Sequence, residues 1–432
     1  MKLLYNFALR FYLFVTWIAG FFNPKAKLFN NGQKGVLELI RRSVVTDVPI
    51  IWVHCSSVGE FEQSRPIIEW YKKEMPHYKI LLTFFSPSGY ELRKNYQLAD
   101  WVFYLPLDTT SNAKAFLEAV KPVKAIFIKY EFWYNYLNEL KRRNIETYIV
   151  SAIFRSSQAF FKPYGGFFRK MLANYTMFFV QDKQSEELLA SIGIKDNVLV
   201  CGDTRFDRVC EITKNSASFP LIEYFAQGAF TMVAGSSWAP DEEIIAKVLK
   251  NFPRTKLIIA PHEIGKERIA SVVERFAGYK ILKYSELDKG YGNIQGKDAN
   301  SLPDSLPTLL QQSQVLIIDC IGILSSIYKY GKFAYIGGGF GVGIHNILEA
   351  ATYGIPVVFG PNYKKFKEAT DLLELGGAIS VKNATEFYSL FNTFVNIPLE
   401  IDKKGKISFE YVKSNLGATY KVVSRIEKLQ QK

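Results

Sequence analysis

The sequence predicts an α/β protein with two doubly wound parallel-sheet domains joined by a linker. Three observations predict this fold: a length of 432 residues, apolar runs of strand length, and amphipathic stretches between those runs. At about 150 residues per domain, the length suits two or three domains. Apolar strands that alternate with helices are typical of parallel sheets covered by helices on both faces. The content of 48% hydrophobic and 22% charged residues is that of a globular chain and excludes a disordered one.

The N-terminal segment, residues 1–22, is predicted to be a membrane anchor. Residues 3–22 are apolar apart from Asn6, Arg10 and Thr16. A transmembrane helix and a cleaved signal peptide are the alternatives. A spanning helix would place Arg10 near the bilayer centre at a cost of about 2.5–3.5 kcal/mol, and the segment ends in a poor cleavage site. A helix inserted in the interface with its basic flank on anionic lipid fits best, and that flank predicts a cytoplasmic location.

The first predicted domain covers residues 23–210. Amphipathic stretches at 61–73 and 131–143 predict two of its helices. Its seven predicted strands are Ile50–Val53, Lys79–Phe85, Trp101–Leu105, Ala125–Ile128, Thr147–Val150, Met177–Val180 and Val198–Cys201.

The second predicted domain covers residues 230–408 and follows a predicted linker at 211–229, which contains Asn, Ser and Pro. The polar stretch 284–314 is predicted to be a long loop, and residues 409–432 are predicted to form one C-terminal helix. The predicted strands of this domain are Phe230–Ala234, Leu257–Ala260, Val315–Asp319, Phe333–Ile336 and Pro356–Phe359.

Two carboxylates follow predicted strands of the first domain. Glu60 comes shortly after the strand that ends near His54, and Glu131 comes shortly after the strand that ends at Ile128. Ligands of such sheets bind at the carboxyl ends of the strands, where a carboxylate can take a proton from a substrate hydroxyl. The alternative for both residues is a carboxylate that only complements the positive end of a helix dipole. A helix start is expected to lower the pKa of Glu60.

A five-glycine loop, residues 337–343, is the strongest motif of the second domain. Glycines let the backbone approach a phosphate, and a helix predicted to start near His345 would add N–H donors. The glycine spacing fits neither a dinucleotide fingerprint nor a P-loop. Glu349 lies one turn into that helix, where it can accept hydrogen bonds from a ribose. A tight structural turn is the alternative.

Composition indicates which classes of partner and which kinds of metal or disulfide site to expect. The net charge of +13 favours an anionic partner, and the 15% aromatic content leans toward a membrane surface. Nucleic acid is not expected, because the basic residues are dispersed and no recognised module is present. The histidines are scattered, no Asp-x-Asp pair occurs, and no metal site is expected. The cysteines are predicted to be reduced thiols and are Cys55, Cys201, Cys210 and Cys320.

As a set, the motifs resemble those of the 3-deoxy-D-manno-octulosonic acid (Kdo) transferases. These are membrane-associated glycosyltransferases of the GT-B architecture, in which two Rossmann-like domains face across a cleft. The matching segments, in the order of that family, are Ser57–Glu60, Glu131 with Trp133, Arg155–Ser156, Gly202–Asp207, Gly235–Ser237, Pro261–His262, Gly343–Glu349 and Gly360–Pro361.

The resemblance implies an activity and its partners. The donor would be CMP-Kdo and the acceptor a lipid A precursor, lipid IVA, in lipopolysaccharide core biosynthesis at the cytoplasmic face of the inner membrane. The transfer would invert the anomeric centre and need no metal or cofactor. The alternative is another GT-B transferase that uses a different nucleotide sugar on a lipid acceptor. A silent lipid-binding scaffold is disfavoured, because it needs no carboxylate at the sheet edge.

The resemblance also implies residue roles, with Glu60 as the general base and Glu131 as a second catalytic residue. Where the family commonly has Pro-Arg-His, this chain has Pro-His-Glu from residue 261, and Lys266 or Arg268 would replace the missing arginine. The acceptor would contact Ser57, Gly59, Arg155 and Arg205. The CMP donor would contact Ser236, Ser237, Pro261, His262, Ile321, Gly322, Ile323, Gly343, His345, Asn346, Ile347, Leu348 and Glu349.

Overall fold

The computed structural model describes residues 1–291 and 305–428 and divides the chain into two compact units. The first unit comprises Met1–Arg208 and the chain from Asn415 onward, and the second comprises Val209–Ser414. Each unit contains a seven-stranded sheet, and every strand pair within these sheets is parallel. The predicted fold class is therefore confirmed.

The strands of the first unit lie close to the predicted bounds. They are β1 (Ile50–Cys55), β2 (Lys79–Phe84), β3 (Trp101–Tyr104), β4 (Lys124–Ile128), β5 (Glu146–Ala152), β6 (Met177–Val180) and β7 (Val198–Val200). The strand order is β3-β2-β1-β4-β5-β6-β7. The direction of winding reverses between β1 and β4, and such a switch point is where doubly wound sheets bind ligands.

Helices cover both faces of this sheet, because successive strand residues point to opposite sides and are apolar on both. Trp52 packs in one buried cluster, whereas its neighbours Ile51 and Val53 pack in the other. The helices are α1 (Lys2–Ala19), α2 (Pro24–Gln33), α3 (Val36–Ser43), α4 (Val58–Glu74), α5 (Pro87–Arg93), α6 (Thr110–Val120), α7 (Tyr134–Arg142), α8 (Gly166–Leu172) and α9 (Lys183–Ser191), and α10 (Arg205–Lys214) leads into the second unit. A short 3-10 helix spans Ala159–Phe161.

The second unit contains β8 (Phe230–Ser237), β9 (Thr255–Pro261), β10 (Ile281–Lys283), β11 (Val315–Ile317), β12 (Phe333–Ile336), β13 (Val357–Phe359) and β14 (Ala378–Ser380). The strand order is β10-β11-β9-β8-β12-β13-β14, so the switch point lies between β8 and β12. Its helices are α11 (Pro220–Ala226), α12 (Ala239–Leu249), α13 (Lys266–Arg275), α14 (Tyr284–Tyr291), α15 (Ser305–Gln312), α16 (Leu324–Ile327), α17 (Leu348–Ala351), α18 (Lys367–Leu375), α19 (Ala384–Asn396) and α20 (Pro398–Ser414). A short 3-10 helix spans Tyr328–Tyr330.

The C-terminal helix differs from the prediction. Instead of one helix over 409–432, α20 ends at Ser414 and α21 (Ala418–Ile426) follows. Gly417, the N-cap of α21, lies between them with a φ of +97°, a left-handed conformation that favours glycine. The chain from Asn415 onward packs in the first unit, where Glu427 accepts a hydrogen bond from Tyr71 at 2.5 Å.

Two other segments are more regular than predicted. Residues 211–229, predicted to be a linker, contain the end of α10 and all of α11, which starts with Pro220 at a position that suits helix initiation. Part of the predicted loop 284–314 is helical, as α14 and α15, and its remainder, 292–304, lies outside the described residues. The sequence also missed β10 and β14, which have three residues each.

The helix α1 presents a continuous apolar face to the solvent. Its exposed side chains, with those of the turn after it, include Leu3, Leu4, Phe7, Phe11, Phe14, Trp17, Phe21 and Phe22. Among the described residues, no helix has both the length and the apolar character that a bilayer crossing requires.

Candidate active site

Glu60 lies at the carboxyl end of β1, in the first turn of α4. Ser57 precedes this helix as its N-cap, and the Ser57 hydroxyl donates a 2.6 Å hydrogen bond to Oε2 of Glu60. The side chain is half-buried, and Gly59 beside it is exposed. The structure therefore places Ser57, Gly59 and Glu60 together at the switch point of the first sheet.

The pKa of Glu60 is raised, whereas the sequence predicted that a helix start would lower it. Burial is the largest cause, and the negative charge of Glu131 is the second. The Ser57 hydrogen bonds and the Lys129 charge lower the pKa but do not outweigh those two effects. A carboxylate with a raised pKa is a stronger base, and proton abstraction is most efficient when that pKa approaches the working pH.

Glu131 is almost fully buried, with 2% of its surface exposed. It follows β4 and precedes α7, so it does not lie in the first turn of a helix. Its side chain accepts hydrogen bonds from the backbone N–H of Ser56 at 3.2 Å and from Nε1 of Trp133 at 2.5 Å. These donors hold a charged group that would otherwise be costly to bury.

His54, the penultimate residue of β1, is a site residue that the sequence analysis treated as isolated. It is completely buried, and its Nε2 lies 3.2 Å from Oε2 of Glu131. Its Nδ1 lies 2.9 Å from Oγ1 of Thr83 on β2. A histidine at the end of an apolar strand, three residues before Ser57, was the available signal, but its pairing with Glu131 depends on the neighbouring strand β4.

The proposed acceptor arginines differ in their surroundings. Arg155 follows β5 and its side chain is exposed. Burial raises the pKa of Tyr130, the charge of Arg155 lowers it and the charge of Glu60 raises it. Arg205, at the start of α10, instead forms a 2.8 Å ion pair with buried Asp203. Because β1, β4 and β5 are parallel neighbours, Arg155 and Glu60 lie at the same carboxyl edge of the first sheet.

Backbone strain marks the same edges. Lys129, Ser151 and Ser236 have φ values of +70°, +53° and +52°. Each lies at or just beyond the carboxyl end of a strand. For residues other than glycine, this conformation costs about 1–3 kcal/mol and is concentrated at functional sites.

At the switch point of the second sheet, Ser236 and Ser237 end β8. Ser236 is half-buried, whereas Ser237 is fully buried and donates a 2.8 Å hydrogen bond to Oε1 of Glu242. The same carboxylate pairs with Arg268 and, at 2.7 Å, with Arg275. Ser237 and Arg268 therefore belong to an internal network that ties β8 to α13.

The glycine-rich loop after β12 packs too closely for side chains. A Cβ on Gly339 would lie 2.5 Å from the backbone nitrogen of Gly360, which no side chain could tolerate without moving the backbone. Asp241 fixes the loop by accepting 2.9 Å hydrogen bonds from the N–H groups of Gly338 and Trp238. The loop is thus held against the ends of β8 and β13.

Three rings stack beside this loop. The His262 ring lies 4.8 Å from Trp238 and 4.2 Å from His345, with interplanar angles of 29° and 22°. Nε1 of Trp238 donates a 3.1 Å hydrogen bond to Nε2 of His345. Burial and the neighbouring His262 lower the pKa of His345 to about 4, and burial lowers the pKa of His262. Both imidazoles are therefore neutral at physiological pH.

The helix expected near His345 begins later, at Leu348, and α17 has only four residues. The Asn346 side chain prolongs the loop by accepting a 3.1 Å hydrogen bond from the Leu348 N–H, a local bond that competes with helix formation. Asn346 also donates to Glu349 at 3.0 Å. A long helix dipole is thus absent here, and backbone N–H groups of the loop are the remaining source of donors.

The other predicted donor residues lie on the same edge with different exposure. Pro261 is buried at the end of β9, and Ile347 and Leu348 are fully buried, so their side chains serve packing. The segment after β11 is open: Ile321 is 78% exposed and Gly322 has a φ of +100°. Ile323 caps α16, and Gly343 has a φ of +142°.

Across the described part of the chain, no group of three or more His, Cys, Asp or Glu side chains is arranged to hold a metal ion.

A parallel sheet in each of two units, with polar groups gathered at both switch points, defines a GT-B-type α/β protein. Solved structures share this fold. The UDP-GlcNAc 2-epimerase from Neisseria meningitidis, bound to UDP-GlcNAc, matches with a TM-score of 0.59 and 15% identity, covering 88% of this chain and 100% of that chain. MurG from Acinetobacter baumannii matches with a TM-score of 0.54 and 11% identity, at 88% and 100% coverage. At such identities the likeness concerns the fold alone.

The family model for 3-deoxy-D-manno-octulosonic-acid transferase (kdotransferase) matches residues 29–208. The 3-deoxy-D-manno-octulosonic acid transferase of Aquifex aeolicus (strain VF5) is 30% identical over 364 residues, which are 82% of this chain and 89% of that relative. Its counterpart from Chlamydia muridarum is 26% identical over 400 residues, 88% of this chain and 86% of the relative. The chain therefore belongs to the Kdo transferase family and is a glycosyltransferase.

Proposed function

We propose that this protein transfers Kdo from CMP-Kdo to the lipid A precursor lipid IVA, with inversion, in lipopolysaccharide core biosynthesis. The family membership and the names of the relatives support Kdo as the transferred sugar. The observation that carries the proposal is Glu60, a half-buried carboxylate of raised pKa at the first switch point. Such a group can remove the proton from an acceptor hydroxyl as that hydroxyl attacks the sugar.

Glu131 supports this role as a second catalytic residue. Its charge, held by Ser56, Trp133 and His54, raises the pKa of Glu60 and so strengthens the base. Arg155 lies on the same edge with its guanidinium exposed, and a guanidinium is well suited to a phosphate of the acceptor. Ser57 orients the base through its hydroxyl.

The second unit would hold the CMP donor. Negative charge grows on the leaving phosphate during transfer, and fixed N–H donors of the glycine-rich loop can stabilise it. Arg268 is paired with Glu242, so we propose Lys266, exposed at the start of α13, as the basic residue beside the phosphate. We propose that Glu349, which accepts a hydrogen bond from Asn346, also accepts hydrogen bonds from the ribose. The sequence contains no Asp-x-Asp pair, and we propose that the transfer needs no metal.

We also propose that α1 anchors the protein on the cytoplasmic face of the inner membrane. The support is its exposed apolar and aromatic face, together with the basic side chains Lys25, Lys27 and Lys34 that follow it. An apolar helix face inserts at the lipid boundary, and basic residues bind anionic headgroups. This location would bring the transferase to a lipid acceptor.

The test is transfer from CMP-Kdo to a tetra-acylated lipid A precursor by the detergent-purified full chain, with EDTA present and products resolved by mass. We expect a product heavier by one or more Kdo units. Product that forms only without EDTA would overturn metal independence. No product from a protein that still binds CMP would favour another sugar nucleotide or acceptor.

A further inference from the structure

A fully buried carboxylate, Asp108, lies after the carboxyl end of β3 and before α6, and it is not among the site residues described above. Its Oδ1 accepts a 2.8 Å hydrogen bond from the N–H of Tyr136, and its Oδ2 accepts a 3.0 Å bond from the N–H of Asn135. Both donors belong to the first turn of α7, whose N–H groups have no partners within the helix. Asp108 therefore holds the start of α7.

The third donor to Asp108 comes from α1. The Tyr5 hydroxyl donates a 2.6 Å hydrogen bond to Oδ2 of Asp108. Asn6 accepts a 3.0 Å bond from Nδ2 of Asn135, and the Tyr5 ring packs 5.6 Å from that of Tyr134. Tyr5 and Asn6 thus connect α1 to the first turn of α7. They lie on the inner face of α1, opposite the apolar face that α1 exposes to solvent.

The start of α7 is also the end of the Glu131 segment. Trp133 is the residue before the helix, and it donates to Glu131. The Trp133 ring also packs 6.0 Å from His54 and 4.8 Å from Phe85. A shift of the first turn of α7 would therefore move the residues that hold Glu131 beside Glu60.

Ionisation of Asp108 depends on the same bonds. Burial raises the pKa of Asp108 to about 7, while the hydrogen bonds from Tyr5, Asn135 and Tyr136 lower it. Loss of the Tyr5 hydroxyl would leave the buried Asp108 carboxylate with one hydrogen-bond donor fewer. Because a buried charge with too few donors is unfavourable, the neighbouring groups would shift or Asp108 would take up a proton.

We propose that Tyr5 and Asp108 are positioning residues for sugar transfer, through which the N-terminal helix fixes the first turn of α7 and so the place of Trp133 and Glu131. The helix α1 then has two functions on two faces: an apolar face for the membrane and an inner face for the catalytic edge. The proposal rests on the proposed function for its kinetic consequence, but the contact itself is measurable without activity.

The test compares Tyr5→Phe with Tyr12→Phe in the full-length protein. Both variants remove one hydroxyl from α1 and keep the ring. The Tyr5 hydroxyl donates to Asp108, whereas the Tyr12 ring packs on Phe29 and Phe85, a contact that Tyr12→Phe retains. We expect Tyr5→Phe to lower kcat about 10-fold, because a small misplacement of catalytic groups costs up to about 100-fold. The KM for CMP-Kdo and the binding to vesicles should not change, and Tyr12→Phe should behave as the wild type.

Hydrogen exchange of the amides at 134–138 supplies a readout that needs no activity. Exchange there should quicken in Tyr5→Phe and not in Tyr12→Phe, since local opening is controlled by local contacts. Unchanged exchange and unchanged kcat would overturn the proposal. Faster exchange with a wild-type kcat would show that the contact is only structural. If the wild type itself fails to transfer Kdo, faster exchange still supports the contact and the failure lies with the proposed function.

Discussion

The two switch points of this protein differ in chemistry although they share a topology. Between β1 and β4 the first sheet gathers two carboxylates, Glu60 and Glu131. Between β8 and β12 the second sheet gathers glycine backbone and uncharged imidazoles. The first environment is suited to accepting a proton, and the second to receiving an anion. The two sheets have different strand orders, but each has a switch point beside its first strand, and the few residues after the strands there give the two edges their different chemistry.

The same physical effects act at both places. Burial and then a like-charged neighbour raise the pKa of Glu60, and burial and then a neighbouring histidine lower the pKa of His345. In each case the neutral form gains relative to the charged one. For a carboxylate the result is a stronger base, whereas for an imidazole it is a neutral ring at physiological pH.

The largest expected effect is the fall in the rate of sugar transfer when the proposed base, Glu60, is replaced. Glu60→Gln keeps the side-chain volume but cannot accept the proton, so transfer should fall by about 100- to 10,000-fold, the usual contribution of a general base. CMP affinity should remain within about twofold, because the residues proposed to bind the donor lie in the other unit. Steady-state transfer and calorimetric titration with CMP measure the two quantities.

The matched control for this substitution is Glu74→Gln, at the exposed end of the same helix α4. It should retain wild-type transfer. If Glu60→Gln lost CMP binding and transfer together, Glu60 would have a structural role. The proposal that the first switch point supplies the base and the second binds the donor would then be wrong.

The next effect concerns vesicle binding through the exposed apolar face of α1. Replacing Phe7, Phe11 and Phe14 by Ser should weaken binding to anionic vesicles about 100-fold, because each half-exposed ring would lose roughly 1 kcal/mol of burial in lipid. Flotation with phosphatidylglycerol vesicles measures the change.

Three exposed apolar residues of the second unit provide the control, Leu375, Leu399 and Phe409. Their joint replacement by Ser should leave vesicle binding unchanged. Equal loss in both triple variants would mean that general hydrophobicity, and not α1, drives the association.

A smaller effect is expected on CMP affinity when Glu349 is replaced. Glu349→Ala should weaken CMP binding about 10-fold, the value of one hydrogen bond to a charged group at about 1.5 kcal/mol. Glu374→Ala, on the exposed side of α18, is the control. An unchanged dissociation constant for Glu349→Ala would contradict the assignment of this carboxylate to the ribose.

The sequence predicted those features that depend on local pattern. Apolar runs located the strands of the first sheet, and the positions after strands identified Glu60 and the glycine-rich loop. Helix bounds were predicted less well where a single residue decides them, as the Asn346 side chain does at the start of α17 and the left-handed backbone of Gly417 does at the start of α21.

Pairings between distant residues were beyond prediction. The contact of His54 with Glu131 joins β1 to the segment after β4, and the bonds from Ser237 and Arg268 to Glu242 join three elements of the second unit. The raised pKa of Glu60 follows from such burial and proximity. Sequence position alone suggested the helix dipole and therefore the opposite direction.

The central claim is that Glu60 acts as the base and that the negative charge of Glu131, after burial, increases its strength. The most direct test is the pH dependence of kcat/KM for the wild type and Glu131→Gln, which reports the pKa of the essential base in the free enzyme. Because Glu131 raises the pKa of Glu60, its neutral replacement should lower that pKa. The acidic limb of the profile should therefore move to lower pH. An acidic limb that stays in place or moves to higher pH would contradict the claim.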